Sequence, residues 1–186
     1  MSGGTHIDPS NKKIALLISV LALILAFSET LAKSAQTAAI SYNIESSNLW
    51  AFFQAKNIRM TTVRTAAEAA EVELQQKTSP EKKKALEGRI QKWKETAARY
   101  DSEPETKEGR KELAVRAKVA EQQRTKAMAA YHNFELASAA LQIAIVLASA
   151  EIITGVVLLA WLSGGLGVAG VVFSLIGLLA PMAVHF

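Results

Sequence analysis

The sequence predicts an all-α membrane protein, in which three transmembrane helices carry a long antiparallel, coiled-coil-like helical hairpin between the first and the second. The distribution of charge is the first observation behind this prediction. Of the 21 Lys and Arg, 19 lie between positions 33 and 131, whereas residues 136–186 contain a single charged side chain, Glu151. An apolar run of that length suits a bilayer better than the core of a small soluble domain.

The first predicted span covers residues 14–32 and follows a short polar tail at residues 1–13. A hydrocarbon core about 30 Å thick needs about 20 helical residues, so the length fits. Glu29 precedes Lys33 by four residues, a spacing that pairs the two on a helix and can hold Glu29 at the headgroup level. A cleaved signal peptide is the alternative, but helical periodicity continues past the possible cleavage site at residues 26–28, which favours an uncleaved span.

Two further spans are predicted at residues 136–161 and 165–186, joined by a tight turn at 162–164. Both segments are long enough to cross a bilayer as helices. The competing interpretation of each span is a buried helix of a soluble protein, which the near absence of charge disfavours.

The segment between the first two spans, residues 33–135, has the composition of a helical hairpin. No Pro lies between Pro9 and Pro80, and Ala, Glu, Gln, Lys and Arg dominate, so residues 14–77 are expected to form one nearly continuous helix. Ser79 and Pro80 are suited to cap and begin the next helix, which places the hairpin tip near 77–81. A second interruption predicts a kink in the returning leg near 101–104, with the last helix starting at about Glu103.

A seam of small and apolar residues repeats with alternating spacings of four and three along the outgoing leg, and Lys56 is its one charged member. Such a seam packs against another helix, and we expect it to bring copies of the chain together as a homo-oligomer. The candidate residues of this oligomer seam include Trp50, which is adjacent to the repeat. The full set is Tyr42, Leu49, Trp50, Phe53, Lys56, Met60, Val63 and Leu74.

The motif SNLWAFFQAK at residues 47–56, within the longer stretch 33–71, resembles the bacterial domain-of-unknown-function family 4337. The layout of one apolar span before this stretch and two after it is similar as well. The resemblance implies a membrane protein without an assigned reaction, and it transfers no catalytic residue to this chain.

Glu151 is the main candidate for an intramembrane polar site, with Glu29 as a second. Glu151 lies 15 residues after Leu136, about 22 Å along the predicted second span, where an ionised carboxylate is costly. One interpretation is a site for a proton or a cation, shared between symmetry-related copies. The other is a protonated carboxyl group that donates a hydrogen bond to a neighbouring helix.

Enzyme activity is not expected. The chain has no Cys, its three His are far apart, and the phosphate-loop, dinucleotide, zinc-protease and serine-hydrolase motifs are missing, so we expect no catalytic residue, metal or cofactor. A net charge of +4 is modest, and no nucleic-acid partner is expected.

The sequence therefore predicts a homo-oligomeric scaffold in the bacterial inner membrane. The alternative function is an oligomeric channel or pore with Glu151 in its path. Lys and Arg near the spans weakly favour a cytoplasmic hairpin, although Lys12 and Lys13 favour the opposite orientation.

Overall fold

The computed structural model describes residues 9–76 and 79–184, and this part of the chain is entirely helical and loop. Its contacts divide it into two compact units: residues 9–40 and 123–184, here named the membrane unit for its apolar helices, and residues 41–76 and 79–122, here named the hairpin unit. The elements, in order, are α1 (Pro9–Leu74), α2 (Pro80–Asp101), α3 (Arg110–Thr154), α4 (Val157–Leu179) and a 3-10 turn (Pro181–Ala183).

Helix α1 is continuous for 66 residues and contributes to both units. Its continuity was expected, because its interior contains neither Gly nor Pro. The helix already begins at Pro9, so the last part of the predicted polar tail is helical, while residues 1–8 lie outside the described part. It ends at Leu74, and the expected end at Lys77 also lies outside the described residues.

The hairpin unit begins its return at α2, as predicted. The Ser79 hydroxyl accepts a hydrogen bond from the Lys82 N–H at 3.4 Å, and Pro80 occupies the first turn of α2. Helix α2 runs antiparallel to α1, and their shared core contains two residues of each helix and is flanked by Leu74 and Trp93. The four core residues are Ala67, Ala70, Leu86 and Ile90.

The break in the returning leg is longer than predicted. Helix α2 ends at Asp101 and α3 begins only at Arg110, so the expected helix start at about Glu103 is wrong. The carboxylate of Glu112 holds the loop in place, because it accepts hydrogen bonds from the Ser102 hydroxyl at 2.6 Å and the Glu103 N–H at 3.1 Å. After this offset α3 continues the return.

The first part of α3 packs on α1 within the hairpin unit. Leu113, Ala117 and Ala120 form a buried cluster with Leu49 of α1. Helix α1 is therefore the outgoing leg of the hairpin. Helix α2 and the first part of α3 form the returning leg, one after the other along α1.

The membrane unit contains the start of α1, the end of α3, and α4. Leu21, Leu141 and Ala144 form its buried cluster, and glycines of α4 permit close approach. A Cβ atom on Gly170 would lie 2.6 Å from Leu141 Cγ, and one on Gly167 would lie 2.7 Å from Leu21 Cδ2. These contacts are the small-residue packing that membrane helices use.

The turn between the last two helices was predicted at 162–164, and this prediction is wrong. Helix α3 ends at Thr154 and α4 begins at Val157, because Gly155 adopts a positive φ of 69° that reverses the chain. Residues 162–164 are helical, and the Ser163 hydroxyl donates to the Ala144 carbonyl at 2.8 Å. The boundaries predicted for the second and third spans, 136–161 and 165–186, therefore do not match the helices.

In the part of the chain that the structure describes, three helices are long and apolar enough to cross a membrane: Lys12–Leu74, Arg110–Thr154 and Val157–Leu179. Their apolar windows have mean hydropathies of 2.4, 2.0 and 2.1 respectively. The fold is therefore all-α, with three helices that can span a bilayer by length and composition.

Candidate functional site

Glu151 lies near the end of α3, four residues before the Gly155 turn, and not at the middle of a long span. Its side chain is 7% exposed. The Oε2 atom is buried and has no hydrogen-bond partner in the described part of the chain. Glu151 belongs to the buried face of α3 that also contains Ala144 and Ala148.

A buried carboxyl oxygen without a hydrogen-bond partner carries a desolvation cost, so a hydrogen-bond donor from another group would stabilise this position. Among the residues that the structure describes, no Lys, Arg or His forms a salt bridge with Glu151, and Lys12 and Lys13 are exposed.

Glu29, the second polar candidate, is exposed on α1 and accepts a hydrogen bond from Gln142 of α3 at 3.1 Å. The pairing with Lys33 that its spacing predicts does not form, although both residues are described. A cleft of about 460 Å³ opens beside this contact within the membrane unit. Its wall includes Glu135 and Ser138, and the Ser138 hydroxyl is buried without a hydrogen-bond partner in the described structure.

The hairpin unit contains a buried cation at Lys56, the residue that interrupts the apolar seam. Its side chain is 8% exposed, and Nζ lies 3.8 Å from a Glu103 oxygen and 3.9 Å from a Glu108 oxygen. Nζ also lies 5.3 Å from the ring centre of Phe52 and 5.5 Å from that of Tyr100. Lys56 is thus held by carboxylates and by aromatic faces where the returning leg is broken.

Arg110, at the start of α3, ties the three helices of the hairpin together. Its guanidinium donates to Asp101 Oδ1 at 2.7 Å and to Asn57 Oδ1 at 2.9 Å. Lys111 approaches the other Asp101 oxygen at 2.7 Å. The hydrogen bond from Lys111, with that from Arg110, holds the pKa of Asp101 below its usual value. The Ser102 hydroxyl, the Glu103 N–H and nearby Lys111 likewise lower the pKa of Glu112.

The seam predicted to join subunits packs inside the single chain. Leu49, Lys56 and Met60 are buried; Leu49 packs against α3, and Lys56 lies beside a carboxylate of the loop between α2 and α3. Trp50 donates its indole N–H to Glu121 of α3 at 2.8 Å. The remaining seam residues are half-buried: Tyr42, Phe53, Val63 and Leu74. The seam therefore closes the hairpin within one chain, and its predicted contact between copies stays a prediction.

Several buried polar residues of the membrane unit were not predicted. The fully buried Asn133 donates to the Ala129 and Pro181 carbonyls, at 2.8 and 3.1 Å, and its Oδ1 has no partner in the described structure. Ser28 and Ser174 share a hydrogen bond of 2.7 Å. Neutral polar residues are common in apolar helices, so their only signal in the sequence is their place inside an apolar segment.

No group of three or more His, Asp or Glu suited to a metal ion occurs among the residues that the structure describes. The polar groups instead fall into isolated positions of the membrane unit and an ionic network at the joint of the hairpin unit.

These features define a class: an all-helical protein with three candidate membrane helices and a closed, two-legged helical hairpin. Within that class, the chain belongs to the family described as domain of unknown function (DUF4337), whose model matches residues 10–180. Comparison with curated proteins and with solved structures gives no match.

Proposed function

We propose that the protein is a homo-oligomeric scaffold of the bacterial inner membrane. In this proposal three helices anchor each chain in the bilayer, and the charged hairpin unit lies on the cytoplasmic side. The protein has no enzyme activity, and its partners are other copies of itself and the lipid.

The observation that supports this proposal is that the buried and the ionic side chains contact other side chains of the same unit. Within each unit the buried side chains pack closely: Leu141, Ala137 and Ala144 have no exposed surface in the membrane unit, and neither has Leu113 in the hairpin unit. The ionic network around Lys56 and Arg110 joins helices of the hairpin unit. Packing of this kind supports rigidity, which suits a structural element.

The second candidate is an oligomeric channel or pore, and the buried, unpartnered Oε2 of Glu151 favours it. Carboxylates in membrane segments tend to line ion or proton paths. The dense packing of the membrane unit argues against a path through one chain, so a pore would have to form between chains.

Ion flux into vesicles distinguishes the two functions. The purified protein is reconstituted into lipid vesicles, and proton and potassium flux is recorded beside Glu151→Gln, which keeps the shape and removes the charge. A scaffold predicts no flux above that of empty vesicles for either protein. Flux through the parent protein that falls in the Glu151→Gln variant would contradict the scaffold function and support the pore.

A further inference from the structure

Helix α1 has a second repeating face within the hairpin unit, distinct from the seam that closes the hairpin. Five residues recur at intervals of seven, and a second set of four lies four residues after each of the first four. The first set is Ile44, Ala51, Ile58, Thr65 and Val72; the second is Asn48, Ala55, Thr62 and Ala69. We refer to these nine positions as the outer stripe. Spacings of four and three are those of a coiled-coil seam.

Apart from the half-buried Ala55, the outer stripe is exposed in the single chain. Ile44, Ile58 and Val72 are 55%, 66% and 60% exposed, although they are its largest apolar residues. Met60, of the closed seam, is 4% exposed. Ile58 and Met60 are two residues apart, which places them about 160° apart around the helix axis. The helix thus has two nearly opposite faces with seam spacing, and only one of them is covered.

None of the nine positions is charged, although the hairpin unit around them is rich in Lys, Arg and Glu. An open groove of about 640 Å³ runs along the stripe beside Ile58, Thr62 and Ala69. Small and branched residues in this pattern allow a second helix to approach closely.

We propose that the outer stripe is the surface through which a second copy of this chain packs, with the two α1 helices parallel and in register. This inference rests on the proposed homo-oligomeric function and names the surface that serves it. Copies inserted into one bilayer in the same orientation present identical stripes at the same number of residues after the first span. Identical residues can therefore meet along the whole stripe.

The area of the outer stripe is compatible with the packing of a second copy of the chain. A helical face of 29 residues is about 43 Å long, and a width of about 10 Å gives about 430 Å² on each chain. A pair then covers about 900 Å² in total, close to the smallest area expected of a specific interface.

Asn48 supplies an argument for register. Its side chain is exposed and makes no hydrogen bond to the described part of the chain. An Asn at a single seam position of a coiled coil fixes the register, because its amide is satisfied only when it meets the amide of the other copy. A membrane lipid or an unrelated helix offers no such match.

Disulfide cross-linking tests the surface and the register together, because the natural chain contains no Cys. Ile44→Cys, in the full-length protein in membranes, should form a disulfide-linked dimer under mild oxidation. Arg64→Cys, an exposed position on α1 outside the stripe, is the matched control and should cross-link at least about tenfold more slowly, since a disulfide needs Cβ atoms within about 4.5 Å. Equal rates at both positions, or no dimer from Ile44→Cys, would overturn the stripe as the interface.

A second arm asks whether the stripe itself holds the copies together. In the Ile44→Cys protein, the pair Ile58→Glu and Val72→Glu should reduce the cross-link at least about tenfold, because it places charge in a buried seam. The control pair is Val115→Glu and Val119→Glu on α3, where exposures of 64% and 50% resemble those of the stripe residues. Persistence of the cross-link in the stripe pair, or its equal loss in the control pair, contradicts the proposal.

The mass of the detergent-solubilised parent separates this inference from the proposed function. A monomeric parent would refute the homo-oligomer and the stripe together. An oligomeric parent that fails the cross-linking test would refute the stripe alone.

Discussion

At the scale of single residues, Lys56 shows how a charge can occupy a buried seam. Two carboxylates and two aromatic rings surround its ammonium group, and the carboxylates themselves remain in contact with water or with other cations. Glu108 is half exposed, and Glu103 also pairs with Arg99 at 3.3 Å. Burying an ion pair costs desolvation that its attraction only partly offsets, so the cluster is not expected to contribute much net stability.

Lys56→Met is therefore expected to change the free energy of unfolding by no more than about 1 kcal/mol. The long apolar side chain fills the same space, and both carboxylates keep other partners or solvent. Urea-induced loss of helical circular dichroism in detergent measures the effect. Lys94→Met, at an exposed ion pair with Glu71, is the control and should be neutral. A loss of more than about 3 kcal/mol in Lys56→Met would show that the buried charge is essential to the fold.

Asp101 gives the hairpin a defined response to pH. Its lowered pKa means that the unfolded chain takes up the proton at a higher pH than the folded chain does. The stabilisation is therefore complete above its usual value of 3.8 and is lost as the pH falls through the lowered value. Asp101→Asn should cost about 1–2 kcal/mol at pH 7 and make progressively less difference below about pH 4.

Unfolding of the parent, Asp101→Asn and Glu87→Gln as a function of pH measures this response. Glu87 is an exposed carboxylate of α2 and should behave like the parent throughout. A cost of Asp101→Asn that stays constant down to pH 2 would contradict the role of the Asp101 charge.

At the scale of the elements, Gly170 of α4 lies against α3, whereas Gly155 in the turn between α3 and α4 has no such packing contact. Gly170→Ala should destabilise the membrane unit by about 1–3 kcal/mol, because the added Cβ would overlap Leu141. Gly165→Ala meets no atom within 4 Å and should be neutral or slightly stabilising, since Ala favours helix. Thermal unfolding in detergent measures the stability of both variants. Equal stability would contradict the close contact between Gly170 and Leu141.

The same glycines explain why one element boundary could not be predicted. The length of α1 follows from the absence of Gly and Pro, and the start of α2 follows from Ser79 and Pro80, so both are local properties. Gly155 and the glycines at 164, 165 and 167 look alike in an apolar sequence. Only the tertiary contacts show that Gly155 reverses the chain whereas Gly167 lies against Leu21.

Some of the candidate site residues could be identified from the sequence, and others only from the structure. Glu151 was identifiable because it is the one charged residue of its segment, and Lys56 because it interrupts a seam. The partners of Lys56 lie about fifty positions further along the chain, and no local pattern connects them. Asn133 and Ser163 are neutral and gave no such signal, so their burial follows only from the packing of three helices.

At the scale of the whole molecule, the closed seam changes how an oligomer can form. The residues expected between subunits, such as Leu49 and Met60, are covered by the chain itself, so substitutions there should damage the folding of the hairpin. Phe53→Glu or Met60→Glu is therefore expected to cause unfolding or loss of the protein, and not a clean conversion to folded monomers. A folded, stable monomer from Met60→Glu would contradict this assignment of the seam.

The central claim is that the protein works as an assembly of several copies in a membrane. Native mass spectrometry of the full-length parent, extracted from its membrane in lipid nanodiscs, tests this most directly. The account predicts a defined species whose mass is a multiple, greater than one, of the 20.0 kDa chain. A species of a single chain at every protein concentration would contradict it.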